Sequence, residues 1–151
     1  MNCDFDMTNE TIKDLVRSYY QRVIAGGRYD EISRFVAANY VDHNSPPGFP
    51  RGPMAVEIHL RGIRHTFPDF HLQIHETVAE GVWVASRVTA NGTHLGAWHG
   101  VNPSGKSISL RGINLDRVSD GLIVEHWGEA DTLGMLDQMG IDPFKSMTPG
   151  S

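Results

Sequence analysis

The stretch Ser119–Asp131, SDGLIVEHWGEAD, gathers Glu125, Glu129 and Asp131 around His126 and Trp127. An imidazole with an ordinary pKa of about 6.5 can give or take a proton near neutral pH, so His126 is a candidate general acid/base. A histidine on an inward strand face is equally a core residue held by a hydrogen bond, and both readings stand. Asp42 and His43 adjoin in YVDHN. Their side chains can cooperate only if they converge; the plain alternative for Asp42 is a turn cap. Arg87 lies mid-strand in VWVASRVTA, on one alternation with Trp83, Ala85 and Thr89. A fixed guanidinium there suits an enolate or carboxylate, where negative charge develops. Its alternative is an ion pair with an inward acid such as Asp116. His94 in GTHLG lines a pocket or fixes a turn. Tyr19 and Tyr20 offer phenols to a ligand oxygen or simply fill the core.

Which of these groups converge depends on the hairpin. If Ser119-Asp120-Gly121 is a three-residue turn, Val118 pairs with Leu122. Asn114 then opposes His126, Gly112 opposes Gly128, and Arg111 opposes Glu129. A two-residue Asp-Gly turn shifts the pairing by one, so the register stays open. Under the first register one face carries Gly112, Asn114, Asp116, Val124, His126 and Gly128, and is the expected pocket face. The other carries Arg111, Ile113, Leu115, Arg117, Glu125, Trp127 and Glu129. That mixture of apolar and oppositely charged residues suits an outer sheet surface that meets a second subunit. Glu125 and Glu129 are therefore expected at the surface, and Asp131 as a helix cap.

Around these positions the chain divides into helices and then strands. Ile12, Leu15, Val16, Tyr19, Tyr20, Val23 and Ile24 recur at helical spacing from about Thr8 to Ala25, before Gly26-Gly27. A short helix follows from Tyr29 to about Val36. YVDHNSPPGFPRGP breaks regular structure, and Pro53 opens a third helix that ends at Pro68. After Asp69 the period becomes two: FHLQIHETV, VWVASRVTA, LGAWHGV, SISLRGINLDRV and LIVEHWGEA are expected strands. DTLGMLDQMG closes with a short helix. Helices followed by an antiparallel meander make an α+β fold: a cone of three N-terminal helices on a strongly curved sheet, with an internal pocket. Residues 1–151 are expected to form one domain, with 1–7 and 145–151 loose.

Composition narrows the class. The chain has 151 residues and a formal net charge of −5, which disfavours nucleic acid and anionic membranes as partners. The single cysteine, Cys3, leaves no disulfide or thiolate metal site. The polar, acidic start is unlike a signal peptide, and no apolar run spans a bilayer, so a cytoplasmic location is expected. Without a secretory signal the sequon at Asn91 carries no glycan in this reading. Eight histidines invite a metal, yet no dense ligand cluster occurs: His71 and His75 fall on a solvent face, and His59 and His65 are not four apart.

The motifs YVDHN, FPDF, GTHLG, SGK, R.SDG.I.EHW and D.LGML.QMG together resemble the SnoaL-like polyketide cyclases, within the ketosteroid-isomerase/nuclear-transport-factor fold group. The resemblance runs from about Tyr40 to Gly140. It implies the cone fold and an intramolecular aldol closure, run by an aspartate on the last strand without metal, cofactor or covalent intermediate. That aspartate falls two residues after His126, where this chain has Gly128. The family's polar pocket positions match Gly112 and Asn114, and its loop asparagine matches Asp42. Opposed glycines at 112 and 128 widen the cavity, admit a flat ligand to the backbone, or mark a bulge. Some epoxide hydrolases of this fold set an Arg between two Asp; the matching partners here are Thr89 and Gly128, so that set is absent.

The expectation is an enzyme for cofactor-independent proton transfer (aldol cyclisation, isomerisation or dehydration) on a bulky, apolar carbonyl compound. His126 is the acid/base, assisted by Asp42 or His43, with Arg87 or Asn114 at the oxyanion. Gly112, Gly128, Trp83, Thr89, His94 and Tyr20 are expected to line the substrate site, and the chain to form a homodimer. The alternatives are a non-catalytic small-molecule-binding or accessory protein of the same fold, and a hydroxylase or epoxide-opening relative.

Overall fold

The computed structural model describes residues 8–145. The expected loose segments 1–7 and 145–151, and Cys3, lie outside them except Lys145, whose N–H reaches the Asp142 carbonyl at 3.3 Å.

Helix α1 (Asn9–Tyr19) starts at Thr8, whose hydroxyl accepts the Thr11 N–H and so satisfies one of the donors a helix start leaves free. Ile12, Val16 and Tyr19 form its buried stripe. The helix then widens into a π-helical turn, Tyr20–Ala25. In an α-helix neighbouring side chains diverge by about 100°. The wider turn narrows that angle, and both Tyr19 and Tyr20 point inward. Arg64 closes the turn by donating to the Ile24 and Ala25 carbonyls.

The second helix is shorter than expected. A single 3₁₀ turn (Tyr29–Glu31) leads into α2 (Ile32–Phe35), and the chain passes directly into strand β1 (Val36–Asp42). No sequence signal predicts that strand. It runs parallel to the last strand, so the sheet is not a pure antiparallel meander. Helix α3 (Pro53–Thr66) opens on Pro53 as expected and buries Ala55, Val56 and Leu60.

Strands β2 (His71–Glu80), β3 (Trp83–Thr93), β4 (Ser107–Ser119) and β5 (Leu122–Ala130) follow, and α4 (Thr132–Gln138) ends the fold. The sheet order is β1-β5-β4-β3-β2. Residues 95–101, an expected strand, form a loop with one tight bridge between Trp98 and Val101. The core fills the concave side, where Ile12, Val16, Leu60, Val84 and Ile123 are almost wholly buried. Each such side chain stabilises by roughly 1.5–3 kcal/mol.

The β4–β5 hairpin decides the site. Asp120 (φ 52°) and Gly121 (φ 74°) form a two-residue turn, with Ser119 opposite Leu122. Both central residues take positive φ, as the hairpin turn matching strand twist requires. A bulge at Val124 then shifts the pairing once more. Asp116 therefore opposes His126, Asn114 opposes Gly128, and Gly112 opposes Ala130. The expected pairing is off by two residues. Because side chains alternate with a period of two, the two single shifts restore the original faces.

Candidate active site

His126 stands on β5 with Asp116 directly across on β4. Its Nδ1 lies 2.8 Å from Asp116 Oδ1, and Tyr20 donates its hydroxyl to Asp116 Oδ2 at 2.8 Å. Asp116 has no solvent exposure. A buried carboxylate is costly unless its lone pairs are filled, and here both oxygens have donors. The Nδ1 proton is thereby committed to Asp116, which leaves Nε2 as the working nitrogen. Burial by itself lowers the His126 pKa; the hydrogen bond and charge of Asp116, aided by Asp42, outweigh it and raise the pKa above the ordinary value.

Space for Nε2 comes from Gly128. A methyl group at that position would lie 3.0 Å from Asn114 Oδ1 and 3.2 Å from His126 Nε2. Asn44 holds this glycine from the β1–α3 loop. It donates to the Gly128 carbonyl and accepts the Gly128 N–H, each at 2.6 Å. Gly112 has another reason: a methyl group there would sit 3.0 Å from the Glu129 carbonyl, a close backbone approach.

These groups form one end of a cavity of about 370 Å³. Tyr20, Asp42, Asn44, His59, Asn114 and His126 line that end, and Leu60, Ile63, Phe67, Phe70, Leu72 and Leu110 line much of the rest. An apolar chamber with a few converging polar groups is the usual form of a small-molecule site. Asp42 both lines the cavity and caps the loop, its Oδ1 accepting the Asn44 N–H at 2.9 Å.

Several expected site residues lie elsewhere. Val84, Ser86 and Val88 are the buried set of β3, so Trp83, Arg87 and Thr89 project from the outer face. Arg87 pairs with Glu76 at 2.5 Å, not with Asp116 or a ligand. Thr89 bonds His75 at 2.8 Å, and Trp83 packs near Trp127. His43 is also outside: it stacks on Trp127 at 4.2 Å and reaches Glu125 at 3.0 Å. His43 lies in the turn that follows β1, where its backbone N–H donates to the His126 carbonyl at 2.9 Å. His94 is fully buried and fixes the loop, its Nδ1 accepting the Ser104 N–H at 3.1 Å. Tyr20 lines the cavity, but its hydroxyl serves Asp116. Arg111 pairs with Asp131 at 3.0 Å rather than Glu129, and Asp131 caps α4 as expected through Gly134.

Among the described residues, no three His, Cys, Asp or Glu side chains gather as a metal would require. No described helix is long and apolar enough to cross a membrane.

The arrangement can relay a proton through Nε2, with Asn114 as a polar neighbour beside a mostly apolar chamber. The SnoaL-like polyketide cyclase model matches residues 14–139. The chain belongs to the SnoaL-like polyketide cyclase family. Among its relatives is the aklanonic acid methyl ester cyclase of Streptomyces peucetius, 29% identical over 130 residues, 84% of this chain and 89% of that protein. The nogalonic acid methyl ester cyclase of Streptomyces nogalater is 29% identical over 121 residues, 78% of this chain and 89% of that one. Among solved structures, TsrD from Streptomyces laurentii matches with a TM-score of 0.77 at 26% identity, covering 85% of this chain and 94% of its own. IdmH from Streptomyces antibioticus matches with a TM-score of 0.72 at 31% identity, covering 85% and 97%.

In this SnoaL-like protein the carboxylate that holds the histidine comes from β4, behind the ring, and position 128 is bare. Asp116 carried a signal in the sequence, being two residues from Asn114 on the same strand face. Asn44 carried none, because its role depends on how an irregular loop folds back onto β5.

Proposed function

We propose that the protein is a single-domain, cofactor-independent cyclase that closes a ring by intramolecular aldol addition within a bulky, largely apolar polyketide methyl ester. The observation that carries this reading is the Asp116-held His126, with its Nε2 side toward a cavity of about 370 Å³. His126 exchanges protons with the reacting groups, and the Asn114 amide donates to the developing oxyanion. The family supports the reaction class, and the two ester cyclases above suggest the substrate class. One cysteine in 151 residues suits the reducing cytoplasm.

The test is incubation of purified protein with aklanonic acid methyl ester or nogalonic acid methyl ester, without added metal or nucleotide. Aldol closure is an isomerisation, so chromatography with mass detection should show a new species of unchanged mass. Recovery of both esters unchanged, with binding seen as quenching of tryptophan fluorescence, would instead support the accessory-protein reading.

The reading includes a homodimer formed through the outer sheet face. Ile113 (57% exposed), Trp83 (40%) and Leu115 (36%) lie on that face, a concentration of apolar surface that monomers seldom leave open. Sedimentation should give a particle of twice 16.7 kDa, and Leu115→Glu should return it to monomer. A wild-type monomer at micromolar concentration would refute the dimer.

A further inference from the structure

The cavity holds a second histidine that the relay does not use. His59 lies on α3, three residues after Val56 and four before Ile63, and all three line the cavity. On that stripe it is the single titratable side chain. It is exposed and lines the cavity, which His126 borders from β5. Ring closure needs two proton movements at two places: one from the carbon that becomes the nucleophile, one to the oxygen of the carbonyl it attacks. A lone histidine must serve both ends in turn. Two histidines on different walls can divide them.

We propose that His59 is the general base of the closure and that His126 is its general acid. Neutral His59 takes the proton from the acidic carbon, and the C–H electron pair becomes an enolate. The enolate carbon bonds to the carbon of the second carbonyl. The π pair of that carbonyl moves to oxygen, which takes the Nε2 proton of the His126 imidazolium. His59 ends cationic and His126 neutral, and solvent returns the proton between turnovers, so the net change is an isomerisation. The proposal rests on the cyclase reading above and assigns its two proton transfers.

The surroundings fit this division. Asp116 behind His126 favours an imidazolium. His59 has no carboxylate bonded to it, and burial, with the neighbouring charge of His126, lowers its pKa against the opposing pull of Asp42. Other ionisable residues lining the cavity are Tyr40 from β1, Tyr19 and Tyr20 from the first helical segment, and Glu129, which borders it from β5 with its side chain on the outer-face alternation. On α3 itself, Glu57 and Arg61 pair with each other and Arg64 is tied to the Ile24 carbonyl. Two groups with pKa values pushed apart are a common basis for acid and base roles in one site.

The experiment is the pH dependence of kcat/KM on aklanonic acid methyl ester for wild type, His59→Gln and His126→Gln. Wild type should give a bell with its acid limb below pH 6.5 from His59 and its alkaline limb above pH 6.5 from His126. His59→Gln should lower kcat/KM by roughly 100-fold or more and abolish the acid limb while keeping the alkaline one. His126→Gln should do the reverse. His59→Asn guards against a defect particular to glutamine, and thermal melting checks that each variant is folded. An active wild type whose acid limb and rate survive in both His59 variants overturns the assignment and leaves the cyclase reading intact. A wild type inert on both esters overturns both. Independently, NMR titration of the free protein should show His59 losing its proton at lower pH than His126, and the opposite order overturns the assignment.

Discussion

Asp116→Asn should reduce turnover by roughly 10²–10⁴-fold while leaving the protein folded. The amide has the carboxylate's shape, so its oxygen can still accept the Tyr20 hydroxyl. Its NH₂ must then face His126 Nδ1, and Nδ1 becomes an acceptor. The ring proton moves to Nε2 and the imidazolium loses its counter-charge. His126 is then a poor acid, because its protonated form is no longer favoured, and no base, because Nε2 is occupied. Losses of this size follow when a carboxylate that fixes a catalytic tautomer is neutralised. His126→Ala should cost a similar factor, and the double variant little more, since the two residues act as one unit. Equal and additive losses in the double variant would sink the idea of a single relay.

The same pair has a pH signature in stability. The folded pKa of His126 is raised above its unfolded value, so the pair's contribution is fully present below about pH 6.5 and is lost as pH rises through the folded value. The melting temperature of wild type should therefore exceed that of Asp116→Asn by more at pH 5.5 than at pH 8.5.

The helix-then-strand order and the inward face of the hairpin were legible in the sequence, because periods of 3.6 and 2 record burial directly. The pocket-facing set Gly112, Asn114, His126 and Gly128 survived a wrong register only because turn length and bulge together shift by an even number. Arg87 misled for the opposite reason. A strand of mixed character offers two alternations, and the one holding Val84 and Val88 is the buried one. Strand β1 was hidden because its identity comes from pairing with β5, across more than eighty residues, and its own sequence has no clear alternation. Asn44 and the paired roles of Asp116 and Tyr20 are likewise long-range facts. Tyr20 and Asp116 are 96 residues apart in the chain, and no local pattern announces their contact.

Gly128→Ala should leave stability nearly unchanged and cut turnover by about tenfold or more. A glycine within a strand costs roughly 0.5–1 kcal/mol relative to alanine, so the added methyl gives some stability back. Against that, it would lie 3.0 Å from Asn114 Oδ1 and 3.2 Å from His126 Nε2, and those groups must yield by a few tenths of an ångström. The ring cannot swing far without stretching its 2.8 Å bond to Asp116. Either the ring moves and its tautomer lock weakens, or Asn114 turns its amide from the oxyanion position. Misplacement approaching 1 Å is enough to cost up to about 10²-fold in rate. Gly128→Asp should lose more activity than Gly128→Ala, although the resemblance puts an aspartate at this position. In this chain the space it would need is where Nε2 meets the cavity, and its charge would sit against an already filled Asp116–His126 pair. Kinetics and thermal melting of the two variants decide the point. Full activity in Gly128→Asp would mean that a carboxylate at position 128 can do the proton transfer itself, and that His126 is then only its support.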